Sequence, residues 1–222
     1  MLSEEEKENI KSEIRSWSRE QLEPPNPDFN NIPACPYAKK AWDDKKVKFA
    51  FKTELYDNDV IYEYIENWDD SIDLIILVDT NFVEETEDFH DNLDFINENI
   101  SDGCFGEKDF WVMGFHPYDD ANELIDDGSF EGESETEYAI VFIQRLSKLE
   151  IASEKLINQG YYKTYFDTYD VQEMYAVRKE FYRRLQDEEV RANEEEALDE
   201  EGRHGKESWP YEEKGYEERG YG

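Results

Sequence analysis

The chain has 222 residues, 58 of them Asp or Glu against 24 Lys or Arg, for a formal net charge of −34. So acidic a composition excludes nucleic-acid binding through a basic patch, since phosphate neutralisation needs clustered cations, and a polybasic membrane-surface protein as well. No stretch approaches the roughly 18 uninterrupted apolar residues of a spanning helix, while an aromatic content of 15% sets the chain apart from disordered ones.

Ser3 and Glu6 stand at capping-box spacing, and Ile10, Ile14 and Trp17 recur at helical intervals, which predicts an amphipathic helix over residues 3–20. The Pro-Pro-Asn-Pro run at 24–27 ends it. A loop to about Trp42 carries Pro33, Cys35 and Pro36, with a helical turn after Pro36. Val47, Phe49 and Phe51 alternate with Lys48 and Lys52, the period of a half-exposed strand. Val60, Ile61, Tyr64, Ile65 and Trp68 then share one helical face, and Leu74 to Val78 reads as a buried central strand. Phe89, Leu93, Ile96 and Ile100 form the next helical stripe, closed by Gly103. Phe110 to Phe115 is a third strand, ending at His116-Pro117.

An acidic loop runs from there to about Glu135, after which Ile140, Ile143, Leu146, Leu149 and Leu156 predict one long helix closed by Gly160. A last amphipathic helix carries Val171 to Leu185. Residues 186–222 hold fourteen acidic and five basic residues with few aliphatics, a solvated and disordered tail. The tail accounts for −9 of the charge and the remaining residues for −25, so the body is itself acidic.

This alternation predicts an α/β fold: a small open, at least partly parallel sheet with flanking helices, plus extra N- and C-terminal helices. The expected divisions are an N-terminal helix and Pro-rich linker over 1–29, an α/β core over 30–165, a C-terminal helix over 166–185 and the acidic tail over 186–222. The first residues lack the basic and apolar regions of a signal peptide, which points to the cytosol.

In a reducing cytosol Cys35 and Cys104, which show no metal or redox spacing, are free thiols. Pro33 and Pro36 stiffen the loop around Cys35 and suit it to present a reactive group; the alternative is a small buried side chain. His116 ends the third strand, and Asp79, Thr80 and Asn81 end the second. If those strands are parallel, all four project from the sheet edge where open α/β folds place ligands. His116 is then a candidate base, metal ligand or hydrogen-bond donor to substrate, and Asp79 and Asn81 are candidate binding residues; the alternative is that Asp79 caps the following segment and His116 packs on aromatics. His90, His116 and His204 show no ligand spacing, and acidic pairs such as Asp119-Asp120 and Asp126-Asp127 arise by chance among 58 carboxylates. No metal is assigned, and no motif names a cofactor.

Three separated segments, Cys35-Pro36-Tyr37-Ala38, the strand and helix from Leu74 to Phe95, and Phe115-His116-Pro117 with a later helix containing Arg145-Leu146, together resemble the bacterial family domain of unknown function 1415 over about residues 30–160. The resemblance implies the same α/β fold and singles out Cys35, His116 and Arg145, but the family carries no established activity and so implies no reaction. Where that family has Arg-Ser-Pro-Tyr-Pro before its last helix, this chain has Glu135-Thr136-Glu137-Tyr138-Ala139 and keeps only the Tyr, so any anion binding by that Arg in relatives does not carry over.

Two functions follow. In the first, a small enzyme brings Cys35 and His116 together so that the imidazole lowers the thiol pKa and the thiolate acts as nucleophile or redox centre. That arrangement has a topological difficulty. With a parallel first strand, Cys35 precedes the edge opposite His116, and residues 36–46 must cross the sheet. In the second, a non-catalytic interaction protein engages a basic partner or mimics a nucleic acid through its acidic body and tail. A third source of the charge is a salty setting, in which surplus acidity maintains solubility.

Overall fold

Ser3 starts helix α1 (Glu4–Trp17) through the capping box its spacing predicts, the Glu6 amide donating to the Ser3 hydroxyl at 3.2 Å and the Ser3 amide to the Glu6 carboxylate at 2.6 Å. The computed structural model describes residues 2–52, 58–83, 85–105, 108–119, 134–163 and 173–187. After α1 come a π-helical turn (Ser18–Leu22), a short ladder of β1 (Pro25–Asn26) with β2 (Ile32–Pro33), and α2 (Ala38–Asp43). The main body follows as β3 (Val47–Lys52), α3 (Asp59–Glu66), β4 (Leu74–Asp79), α4 (Thr86–Ser101), β5 (Phe110–Phe115), β6 (Ala139–Arg145) and α5 (Leu146–Asn158). A last helix, α6, spans 173–187.

The sheet has the order β3-β4-β6-β5, with β3 parallel to β4 and β6 antiparallel to both its neighbours. The fold is therefore α/β with a mixed sheet, and β3, β4 and β5 all point the same way. Their C-terminal ends share one edge. Helices α3 and α4 cover one face, over Ala50, Ile75, Leu77, Val112 and Val141. On the other face α1 packs on Ile76, Val78 and Ile140, and α5 joins Trp111.

One predicted element is corrected. Residues 139–145, expected as the first half of a long helix, form β6 in the middle of the sheet, and only Leu146–Asn158 is helical. Every residue from Ala139 to Ile143 is apolar, so the helical spacing of Ile140, Ile143 and Leu146 is fulfilled trivially. What distinguishes the strand is burial on both faces, Val141 and Ile143 against α3 and α4, Ile140 and Phe142 against α1. The N-terminal helix belongs to the same core, since Ile10 and Ile14 are fully buried and each contributes about 1.5–3 kcal/mol on burial. The expected acidic loop at 120–133 and the tail from 188 lie outside the described residues. Among the described residues no helix is long and apolar enough to cross a membrane.

The free edge of β5 is closed by a side chain. Asn97 of α4, fully buried, donates from Nδ2 to the Val112 carbonyl at 2.8 Å and accepts the Val112 amide on Oδ1 at 2.8 Å. It stands where a neighbouring strand would stand. The approach of α4 to β5 is close enough that a Cβ on Gly114 would lie 2.6 Å from side-chain carbons of Leu93 and Phe89, so only glycine fits. At this end of the sheet α6 seats Phe181 and Leu185 on Trp111, and its Arg184 reaches Glu98 and Asp102, both at 2.9 Å.

Three phenols are sealed in these packing layers. Burial first, then a hydrogen bond to Glu13 for Tyr138, the nearby Cys35 for Tyr161 and a hydrogen bond with Tyr175 for Tyr162, holds each well above the ordinary value of about 10. Below that pH both folded and unfolded chains keep these protons and stability is untouched. Above it the unfolded chain ionises while the folded one does not, so stability falls as pH rises. In an alkaline spectrophotometric titration of the 15 tyrosines, these three are expected to ionise only as circular dichroism is lost. Ionisation of all of them with the fold intact would contradict this.

Candidate functional site

The parallel strands β3 and β4 end on a paired couple, Lys52 and Asp79. Both side chains continue the buried row of Ala50, Ile75 and Leu77 toward the sheet edge, where they are 7% and 3% exposed, and Lys52 Nζ donates to Asp79 Oδ2 at 2.8 Å. Asp79 Oδ1 accepts the Asn81 amide at 3.0 Å, a local turn that swings the chain out of the strand. Thr80 locks the other side, its amide and hydroxyl both donating to the Lys52 carbonyl, at 3.2 and 3.1 Å. A charge pair is thus fixed where an apolar strand pair reaches its end.

Against this pair a cleft of about 220 Å³ opens between α3 and α4. Its polar lining is Lys52, Asn58, Asp79, Asn81, Asp88 and Asn92, and its apolar lining includes Ile61, Leu77, Phe89 and Leu93. Asn58 and Asn92 exchange carboxamide hydrogen bonds of 2.9 and 3.3 Å, which ties the start of α3 to the middle of α4. The location is the carboxyl edge of parallel strands, where open α/β sheets hold ligands. With two carboxylates and one ammonium, already engaged by Asp79, the lining offers an anion little.

The residues expected from the sequence are distributed as follows. Asp79 and Asn81 line the cleft. His116 stands behind its rim, fully buried, its ring edge-on to Phe82 at 4.9 Å and tilted on Phe89 at 5.3 Å. His116 Nε2 lies 2.9 Å from the Val83 carbonyl, which can only accept, so the proton sits on Nε2. Nδ1 accepts the Tyr118 amide at 3.1 Å, with the Thr86 hydroxyl 3.2 Å away. Both nitrogens are committed, and the imidazole holds Val83, Thr86 and Tyr118 rather than facing the cleft. Asp119 supports the same turn, accepting the His116 amide at 2.7 Å while its other oxygen lies 2.8 Å from His90 Nε2.

Cys35 lies on the other face of the sheet. Its amide donates to the Leu22 carbonyl at 2.9 Å, and the Tyr161 hydroxyl donates to the adjoining Ala34 carbonyl. Burial pushes the thiol up, opposed by backbone donors from Tyr37 and Ala38, so it is held as a thiol and not as thiolate. The expected meeting of Cys35 and His116 is corrected accordingly: the sheet stands between them. Arg145 is placed at the opposite edge, where β6 ends. It bonds Asp70 at 3.0 Å and Asp109 at 3.2 Å, and its guanidinium lies 4.5 Å over the Phe110 ring. There it braces the start of α5, whose Ser147 amide also donates to Asp109 at 2.6 Å.

Lys52, Asn58 and Asn92 escaped sequence reading. Alternation places Lys48 and Lys52 on a solvent face of β3, yet that face lies under α3, with the Lys48 ammonium 5.0 Å over the Tyr64 ring. The available signal was Asp79 itself. A carboxylate ending a wholly apolar strand must find a cation, and the adjacent strand ends on Lys52. Among the described residues no three His, Cys, Asp or Glu side chains gather as a metal site would require. Compared with known protein families, with curated proteins and with solved structures, the chain finds no match in any of the three.

Proposed function

We propose that the chain is a small-molecule-binding protein whose site is the cleft over Lys52 and Asp79, and whose ligand is a neutral or cationic polar compound of metabolite size. The observation that carries this reading is the buried ion pair at the cleft wall. An apolar pair would hold this corner of the sheet at equal or greater stability, so charges kept there, beside Asn58, Asn81 and Asn92, favour recognition over structure. The volume of about 220 Å³ lies below the ~300–1,000 Å³ of sites for larger ligands. The acidic body adds a field that draws cations and repels anions. A Cys35–His116 enzyme is less favoured, because those side chains occupy opposite faces.

The test is a thermal-shift and ligand-observed NMR screen of the full chain against amino acids, amines, polyols, nucleosides and organic acids. At a concentration ~100-fold above Kd a true ligand adds about 2.7 kcal/mol and raises Tm by several degrees. That rise is expected to vanish in Asn92→Leu. A panel without binders, binding only by organic acids, or a shift unchanged in Asn92→Leu would refute the proposal.

A further inference from the structure

Helices α4 and α6 flank the β5 edge and are joined on one side by Arg184 of α6, which pairs with Glu98 and Asp102 of α4. Between them lies a groove of about 480 Å³, floored by Trp111 and Phe181 and walled by Met174 and Val177, which are 39% and 38% exposed. The opposite rim carries Asp94 and Glu98 of α4, with Glu173 at the start of α6. Phe95, beside Asp94, is 60% exposed, the most exposed large apolar side chain among the described residues. Helix α4 contains no Lys or Arg, and its Glu87, Asp91, Asp94 and Glu98 follow helical spacing along one stripe. The surface therefore combines an apolar trough with a rim on which Asp94 and Glu173 are acidic and Arg184 is taken up by Glu98 and Asp102.

We propose that this groove docks a basic amphipathic helix of a partner protein, its apolar side chains seated on Trp111, Met174 and Val177 and its Lys or Arg side chains against Asp94 and Glu173. Charge complementarity selects the occupant. Residues 188–222 of the chain carry thirteen acidic and five basic residues and are repelled by the rim, as is a second copy of so acidic a protein. A strand is excluded at the groove's floor because Asn97 already takes both backbone groups of Val112. A helix laid between two helices needs no such groups, only apolar anchors at helical spacing. Burial, with Asp91 and Glu98 close by and only His90 opposing, pushes the Asp94 carboxyl up, and an incoming cation relieves that strain.

The probe is a synthetic Lys/Leu peptide patterned to place all its leucines on one helical face, titrated into the full chain by fluorescence anisotropy and by amide NMR. Resonances of Asp94, Phe95 and Val177 are expected to shift first. Met174→Lys/Val177→Lys is expected to weaken binding about tenfold or more, whereas Ile151→Lys/Ile157→Lys, which adds the same charge at exposed positions of α5, leaves it within about twofold. Equal binding of a scrambled peptide of the same composition, equal loss in both double variants, or shifts centred elsewhere would overturn the proposal. So would groove resonances that move on truncation after residue 187 without peptide, or a dimer that Met174→Lys/Val177→Lys dissolves, since either assigns the groove to the chain itself.

Discussion

Asp79→Ala is expected to destabilise the fold by about 3–5 kcal/mol, because it leaves the Lys52 ammonium buried with its counter-charge removed. Lys52→Met is expected to cost a similar amount by stranding the carboxylate. Desolvation is what makes these changes large: with both side chains under a tenth exposed, water cannot replace the missing partner. Lys52→Met combined with Asp79→Leu removes both charges and fills the volume, so it is expected to regain most of the loss in urea denaturation, giving a coupling energy close to the sum of the Lys52→Met and Asp79→Leu single changes. The same double variant is expected to lose ligand binding in the cleft. Single changes worth less than about 1 kcal/mol would mean that water reaches the pair and that the wall of the cleft is not dry.

Asn97→Leu is expected to cost about 2–4 kcal/mol, although leucine suits the apolar surroundings. The change leaves the Val112 amide and carbonyl without the partners they have at 2.8 Å, and an unmade buried hydrogen bond costs about 1–3 kcal/mol. Asn97→Asp keeps an acceptor for the amide but confronts the carbonyl with a second acceptor, so it rescues little. Amide exchange locates the effect, since the Val112 amide should pass from among the slowest in the sheet to local opening. Protection of that amide retained in Asn97→Leu would show that the contact is dispensable. A freed β5 edge also predicts aggregation of the variant at high concentration.

Asn97 also marks a limit on what periodicity reveals. Phe89, Leu93, Ile96 and Ile100 placed α4 correctly, but an asparagine inside the stripe looks like a polar interruption until the strand it completes is known. The strands β3, β4 and β5 and the helices α1, α3 and α4 were legible because each carries an unambiguous period or an uninterrupted β-branched run. Strand β6 was not, because a segment apolar at every position satisfies both periods, and only its neighbours in the sheet decide between them. At the site, shared strand direction was enough to bring Asp79 and Asn81 to one edge. The resemblance singled out Cys35, His116 and Arg145, and the fold sets these in three separate places. Nothing in local sequence encodes which face of a sheet a loop crosses, so a scarce residue type draws attention without specifying a neighbour.

The position of β6 has a consequence during synthesis. The last strand of the main sheet in the chain stands in its middle, so β4 has one edge unpaired and β5 has no neighbour until Arg145 has been added. Translation from Asp79 to Arg145 takes on the order of 3–13 s at about 5–20 residues/s. Throughout that interval Leu74 to Val78 is an open apolar template for other nascent chains. By then the segments already made carry a dense negative charge, which holds neighbouring chains on a polysome apart. The acidity is thus already in place before the sheet is complete.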